Sequence, residues 1–266
     1  MSPAPPGDYH VHTSFSDGEG EPAQCVERAL ALGLPEIGIS DHLTPAVLGG
    51  EGDWSIGHDR LDDYVGAVRE AARCYPEITV LLGVEADYVP GTEDELAGLL
   101  GAYPFDYVIG GLHYVDGFSF DDEATREDPR WDAAASLYRR YYALLGRAAA
   151  SGLFDVLAHF DYVMLWGRRT TADLAAAEDE ALALMAAHGV AIEVNTTGTL
   201  EPAGLMHPAP DLLARACRRG IPVVFGSDAH EVDQVGWQFE AAVALARRAG
   251  YRASLELSSG TQKPLP

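Results

Sequence analysis

The chain has 266 residues, 47% of them hydrophobic, and its 41 acidic against 18 basic residues give a formal net charge of −23. A protein this negative is repelled by phosphate backbones and by anionic lipids, which argues against nucleic acids and membranes as partners. With no signal segment and no apolar run long enough to span a bilayer, we expect one cytoplasmic domain over residues 1–266, whose oligomeric state the sequence does not predict.

Short runs rich in Val, Ile and Leu recur along the chain and are separated by longer amphipathic stretches. This alternation is typical of a parallel sheet wrapped by helices, with strands buried on both faces. The predicted strands are residues 8–11, 36–40, 79–84, 107–110, 155–158, 190–194 and 222–226. Seven such units predict an α/β barrel, and residues 253–257 are predicted to form a degenerate eighth strand.

Alanine, leucine and arginine recur at helical spacing between the predicted strands. The predicted helices are residues 22–32, 61–74, 131–150, 172–187, 209–219 and 235–249. A glycine follows most of them, as expected where a helix ends in the left-handed conformation. Two long loops, residues 43–58 and 115–130, are predicted to form a lid that faces the substrate.

Most histidines lie at the ends of predicted strands, and one glutamate and one aspartate are placed in the same way. These residues are His10, His12, His42, Glu85, His113, His159, Asp228 and His230. In a parallel barrel the carboxyl ends of all strands meet on one face, so residues far apart in sequence become neighbours. Imidazole and carboxylate groups that converge in this way predict a metal cluster.

Two pairs of candidate ligands are spaced by one residue. His10 and His12 form one pair, and the run at residues 226–230 contains the other. Alternate side chains of a strand point to the same side and can hold one ion together. Glu85 can bridge two cations because each carboxylate oxygen binds one. The alternatives are two ordinary histidines near a strand end and a salt-bridged glutamate under a loop.

The other three histidines are not predicted to bind metal. His188 stands at a helix end, where an imidazolium ion suits the helix dipole. His58 and His207 lie in predicted loops and are interpreted as solvated residues rather than as substrate contacts.

A set of motifs, in this order, resembles the polymerase and histidinol phosphatase (PHP) superfamily over nearly the whole chain. The motifs are Asp8-Tyr9-His10-Val11-His12-Thr13, Ser40-Asp41-His42, Gly83-Val84-Glu85, His113, His159 and Ser227-Asp228-Ala229-His230. Three longer runs, residues 83–91, 111–117 and 193–198, are most similar to histidinol-phosphate phosphatases. The resemblance implies metal-dependent hydrolysis of a small phosphate monoester, with L-histidinol phosphate as the substrate.

The resemblance further implies a distorted (β/α)7 TIM-like barrel with two to three divalent metal ions, which could be Zn, Fe or Mn. The first ion is expected on His10, His12, Glu85 and Asp228. The second is expected on Glu85, His113 and His159. The third is expected on His42, His230 and Asp17, which stands where many relatives place a histidine.

Phosphate recognition is less clearly encoded than metal binding. Relatives carry basic residues soon after the fifth-strand histidine, whereas this chain has Met164 and Leu165 before Arg168 and Arg169. Either arginine is a candidate phosphate ligand, because a guanidinium presents a planar fork to phosphate oxygens. The alternative is that both are surface residues preceding a helix.

Five further assignments concern substrate and proton transfer. Asn195, in the run 193–198, is a candidate substrate-binding residue. Asp116 and Asp121, in the long loop after His113, could attract the cationic end of histidinol phosphate. Asp228 and His230 are the candidate catalytic residues that transfer a proton to the leaving oxygen.

Two other functions are compatible with the same residues. One is a PHP phosphatase or phosphodiesterase that acts on nucleotides or sugar phosphates. The other is a module that binds metal and a protein partner without catalysis.

Overall fold

The computed structural model describes residues 4–48, 54–168, 170 and 172–266. Its helices are α1 (Pro22–Leu32), α2 (Leu61–Cys74), α3 (Glu93–Ala102), α4 (Ala134–Ala150), α5 (Ala175–His188), α6 (Pro210–Arg218) and α7 (Phe239–Ala249). Its strands are β1 (Glu36–Ile39), β2 (His42–Leu43), β3 (Thr79–Leu82), β4 (Glu85–Asp87), β5 (Ile109–Gly111), β6 (Tyr114–Val115), β7 (Phe118–Ser119), β8 (Val156–Leu157), β9 (Ala191–Asn195), β10 (Val223–Gly226), β11 (Ala253–Glu256) and β12 (Thr261–Pro264).

The parallel strands form a closed ring. Six strands pair in the order β10-β9-β8-β5-β4-β2, and β1 pairs with β3. The segment around residues 8–12 closes the ring between its two ends. Asp8 bridges Ile37 in parallel, and Val11 bridges Ala229 in parallel. The molecule is therefore a distorted (β/α)7 barrel, as predicted.

The predicted elements differ from the observed ones in several places. Residues 8–11 make isolated bridges rather than a continuous strand. The β6–β7 hairpin lies largely in a predicted loop, and helices α4, α5 and α7 begin three or four residues later than predicted. Helix α3 was not predicted. The prediction of an eighth barrel strand at residues 253–257 was wrong, because β11 pairs antiparallel with β12 and not with the parallel ring.

Large side chains fill the lower interior of the barrel, toward the amino ends of the strands. Tyr107 is 3% exposed and donates a hydrogen bond to the Tyr9 carbonyl at 2.5 Å. Its ring fits because Gly38 has no side chain, since a Cβ there would lie 2.0 Å from the Tyr107 hydroxyl. Because large side chains fill this half of the barrel, the polar groups lie at the carboxyl ends of the strands.

The hairpin of β11 and β12 lies against the amino end of the barrel. Leu255 and Leu257 pack on the interior cluster that contains Tyr9 and Tyr107. The Leu257 amide donates to the Tyr9 hydroxyl at 3.3 Å. This end of the barrel is thus closed by the chain itself, and the carboxyl end faces outward. None of the helices in the described ranges has the length and apolar character needed to cross a membrane.

Candidate metal centre

The eight predicted strand-end ligands lie together at the carboxyl end of the barrel. The glutamate at their centre is 1% exposed and occupies the first position of β4. Gly111, on the next strand, makes room for it, because a Cβ there would lie 2.6 Å from Glu85 Oε1. A glutamate can therefore sit between the strands with both oxygens facing inward.

Each oxygen of Glu85 faces different imidazoles. Oε2 lies 2.9 Å from His42 Nδ1 and 3.2 Å from His10 Nε2. Oε1 lies 3.1 Å from His159 Nε2 and 3.7 Å from His113 Nε2. The two oxygens could therefore serve two cations, which is the bridging geometry expected of a carboxylate in a multinuclear site.

Asp228 faces the first histidine pair. Its Oδ1 lies 3.0 Å from His12 Nε2 and 3.5 Å from His10 Nε2. Asp228 adopts a positive φ of 54°, which is uncommon outside glycine and aims the side chain into the cluster. The distances allow His10, His12, Glu85 and Asp228 to share one ion.

A third group of possible ligands is more open to solvent. It comprises His12, Asp17, His42 and His230. Asp17 Oδ2 lies 3.4 Å from His230 Nε2 and 3.7 Å from His42 Nε2. The Asp17 and His230 side chains are 32% and 36% exposed, in contrast to the buried Glu85. A cation held here would exchange with solvent more readily than one beside Glu85.

The loop that carries Asp17 is shaped by Asp41. This buried carboxylate accepts hydrogen bonds from the Thr13 amide at 2.7 Å and from the Ser16 hydroxyl at 2.6 Å. Gly18 completes the turn, because a Cβ there would lie 2.5 Å from the His12 carbonyl carbon. Asp17 is thus fixed opposite His230 by a local hydrogen-bond network.

Several buried polar atoms in this cluster have no hydrogen-bond partner, which indicates that these residues could bind cations. In the described part of the chain, six of the ten buried side-chain nitrogens and oxygens without a hydrogen-bond partner belong to this cluster. They are His10 Nε2, His12 Nδ1, His12 Nε2, His42 Nδ1, Glu85 Oε2 and His159 Nδ1. Buried polar groups are normally hydrogen-bonded, so unpartnered ones gathered at one point call for a ligand. Imidazole nitrogens and carboxylate oxygens suit divalent transition metals.

Carboxylates outside the cluster orient the imidazoles. His10 Nδ1 lies 2.7 Å from Glu193 Oε1, and His113 Nδ1 lies 2.7 Å from Asp87 Oδ1. A carboxylate at Nδ1 fixes the ring so that Nε2 faces the ion. These roles of Glu193 and Asp87 were not predicted from the sequence. The available signal was an ionisable residue inside each otherwise buried strand.

Asn195 contacts two of these carboxylates rather than the open cavity. Its Nδ2 donates to Glu193 Oε2 at 3.0 Å and to Asp228 Oδ2 at 3.1 Å. Asn195 is fully buried, so in this arrangement it holds Asp228 in position. Its role as a direct substrate ligand stays a prediction.

Burial opposes charge on every group here, but nearby carboxylates outweigh it for some imidazoles. Burial lowers the pKa of His113, yet the carboxylates of Asp87 and Glu85 raise it to about 10. Burial lowers the pKa of His12 to about 3, and the neighbouring His42 acts in the same direction. The metal-free cluster therefore holds protons that a cation must displace, so cation affinity falls as the pH falls.

A cavity of about 290 Å³ opens beside the cluster. Part of its lining consists of candidate metal ligands. The rest consists of Trp54, Tyr114, Ser119, Asp121, Asp122 and Tyr162. Of the residues that the structure describes, no arginine or lysine lines this cavity. Phosphate in the cavity would therefore depend on the cations for charge neutralisation.

The other predicted substrate residues lie away from the cavity or outside the described ranges. Arg168 pairs with Glu127 at 3.1 Å and does not line the cavity. Arg169 is outside the described residues. Asp116 pairs with Arg140 at 2.7 Å on the exposed surface. Asp121 is the one loop aspartate of the two predicted that reaches the cavity wall.

His207 is buried rather than solvated, so its interpretation from sequence was wrong. It is 2% exposed, and its Nδ1 lies 2.6 Å from Asp161 Oδ1. Its ring packs edge-to-face on Tyr162, with centroids 5.7 Å apart, and Tyr162 in turn packs 4.3 Å from the His159 ring. The Asp161–His207 pair thus braces the cavity wall from behind, through long-range contacts that the sequence does not reveal.

The fold and the site define a class of protein. Residues 8–197 match the model of the PHP domain family, and the chain belongs to this family. The resemblance identified from the motifs is therefore confirmed. The family match covers every predicted strand-end ligand except Asp228 and His230, which follow the last barrel strand in the chain, β10.

Three individual relatives align with this chain over most of its length. The chain is 36% identical over 247 residues to a Deinococcus radiodurans protein named "Probable histidinol-phosphatase", covering 92% of this chain and 94% of the relative. It is 25% identical to the histidinol-phosphatase of Bacillus subtilis, covering 88% and 97%. A Lactococcus lactis histidinol phosphate phosphatase, solved with zinc, L-histidinol and phosphate, shares the fold with a TM-score of 0.77 at 24% identity, covering 95% of this chain and 97% of that chain.

Proposed function

We propose that this protein is a phosphoric monoester hydrolase that converts L-histidinol phosphate to L-histidinol and phosphate, as a cytoplasmic enzyme of histidine biosynthesis. The observation that carries the proposal is the convergence of buried imidazole and carboxylate groups around Glu85, among them the unpartnered atoms His10 Nε2, His42 Nδ1 and Glu85 Oε2. The names of two relatives that cover nearly the whole chain support the choice of substrate.

The residues of this chain would hold two to three divalent cations. We assign the first to His10, His12, Glu85 and Asp228. We assign the second to Glu85, His113 and His159. We assign the third to Asp17, His42 and His230. Such cations act as Lewis acids and lower the pKa of water from about 15.7 to roughly 7. Zinc, iron and manganese all accept this set of donors.

The protein side chains orient the reaction and supply a proton. Glu193 and Asp87 fix the rings of His10 and His113, so these ligands need no rearrangement during turnover. Asp228 and His230 both line the cavity, and of the two His230 is the better proton donor to the leaving alkoxide oxygen. Burial lowers the pKa of His230, but Asp17 and Asp228 raise it to about 9. Burial raises the pKa of Asp228, but His10 and His12 bring it well below its usual range, so this carboxylate has no proton to give. The aromatic and acidic residues of the lining receive the organic part of the substrate.

Comparison of substrates tests the proposal. Purified protein loaded with Zn, Mn or Fe is assayed on histidinol phosphate, nucleoside monophosphates, sugar phosphates and a phosphodiester, and its metal content is measured. We expect kcat/KM to be highest on histidinol phosphate by at least about 100-fold, since a site built for polar groups rejects analogues that lack them. A preference for nucleotides or sugar phosphates would show that histidinol phosphate is not the main substrate. Stoichiometric metal with no turnover on any ester would favour the non-catalytic module.

A further inference from the structure

The loop of residues 115–130 forms one rim of the cavity and is rich in acidic residues. Nearly all of them are engaged locally. Asp116 pairs with Arg140, Glu123 with Arg126, Glu127 with Arg168, and Asp128 with Arg130, at distances from 2.7 to 3.2 Å. These ion pairs account for the acids that face solvent.

Two acids of the same loop reach the cavity, and they differ in burial: Asp121 is half-buried, whereas Asp122 is exposed. Asp122 caps a short helical turn by accepting a hydrogen bond from the Ala124 amide at 2.8 Å. Asp121 accepts a hydrogen bond on Oδ1 from the Ser119 hydroxyl at 2.9 Å. In the described ranges of the chain no arginine, lysine or histidine lies within ion-pair distance of Asp121, so its second oxygen is left for the cavity.

The surroundings of Asp121 favour a cation in front of it. Burial raises the pKa of Asp121, whereas the nearby His113 opposes that rise. A cation bound beside the carboxylate would act in the same direction as His113. Tyr114 and Trp54 also line the cavity, with ring centroids 6.4 Å apart. Aromatic faces and a carboxylate together are the usual receptor for an ammonium or an imidazolium ion.

The lining of the cavity therefore offers groups that suit opposite charges. The candidate ligands around Glu85 would hold cations and through them a phosphate group. The remaining lining residues include a carboxylate and aromatic rings, and the described lining has no arginine or lysine to attract a second anion.

We infer that Asp121 determines specificity, by binding the cationic end of the alcohol whose phosphate ester is hydrolysed. This inference rests on the proposed function for the location of the reacting phosphate. It extends that function, because it predicts preference for esters of amino alcohols in general over neutral esters of the same size.

The test is Asp121→Asn, which keeps an acceptor for the Ser119 hydroxyl and removes the charge. The kcat/KM of metal-loaded enzyme is measured on histidinol phosphate and on a matched pair, ethanolamine phosphate and ethyl phosphate. We expect a loss of roughly 10- to 100-fold on the two cationic esters, as for removal of a charged hydrogen bond, and a change within about twofold on ethyl phosphate. Asp116→Asn, in the same loop but paired with Arg140, is the control and should leave all three values unchanged.

Three outcomes would overturn the inference. Equal losses on cationic and neutral esters would make Asp121 a structural residue of the loop. No loss of kcat/KM on either kind of ester would show that the cationic end does not bind at Asp121. A fall in metal content of Asp121→Asn would make it part of the metal centre. If wild-type enzyme ignores histidinol phosphate but the ethanolamine ratio still collapses in Asp121→Asn, the proposed substrate fails while the role of Asp121 stands.

Discussion

A glutamate is buried at each end of the barrel, Glu36 at one and Glu85 at the other, and these two are bonded in opposite ways. Glu36, at the amino end, is 3% exposed. Its Oε2 accepts a hydrogen bond from the Tyr9 hydroxyl at 2.7 Å, and its Oε1 accepts one from the Ser258 hydroxyl. Glu85, at the carboxyl end, is as deeply buried, yet it faces imidazole nitrogens and its Oε2 has no hydrogen-bond partner.

This difference separates a structural carboxylate from a functional one. Hydroxyl donors satisfy Glu36 permanently, so it ties the closing hairpin to the barrel without needing any ligand. Unpartnered buried polar groups cost free energy, so we propose that cations complete the bonding of Glu85. Burial alone would not have told the two residues apart.

Replacing Glu85 by Gln should give the largest effect. The amide cannot bridge two cations, so we expect kcat/KM to fall on the order of 10³-fold or more, beyond the roughly 10- to 100-fold typical of losing an outer-shell partner. Metal content per chain should fall in parallel, measured by elemental analysis. Circular dichroism should show an unchanged fold. Full activity with full metal content would remove the basis for treating Glu85 as the bridging ligand.

Replacing Glu193 by Gln should give an intermediate effect. Glu193 accepts from His10 Nδ1 with one oxygen and from the His159 amide and Asn195 Nδ2 with the other. A Gln amide would direct N–H groups at one of these donors, so we expect metal affinity or kcat/KM to fall roughly 10- to 100-fold. Competition with a metal chelator measures the affinity. A loss of thermal stability without any change in affinity would show that Glu193 supports only the fold.

Replacing Glu36 by Gln should give the smallest effect on function and a measurable one on stability. The Tyr9 and Ser258 hydroxyls must reorient, so we expect the free energy of unfolding to fall by about 1–2 kcal/mol. Denaturant unfolding of the metal-loaded protein measures this change. Metal content and kcat/KM should stay within about twofold of wild type. Loss of metal from this variant would contradict the division between the two ends.

The sequence predicted the fold class, and it predicted that the candidate ligands lie together at one end of the barrel. Parallel strands buried on both faces appear in the sequence as short apolar runs, and helices appear as amphipathic stretches. Both patterns are local, so the sequence alone indicates them. The bounds of α1 and α2 were predicted to the residue. Residues 253–257 were correctly predicted as a strand but wrongly placed in the barrel. Strand propensity does not specify which strand is the partner, and here the partner is β12.

What only the tertiary structure decided is how each polar side chain is bonded. The sequence placed Glu85 and the histidines on one face, since strand ends converge by topology. It could not tell that Asp116 pairs outward with Arg140 while Asp121 faces the cavity, or that His207 is buried against Asp161. Those outcomes depend on contacts between segments tens of residues apart, and local patterns contain no information about such contacts.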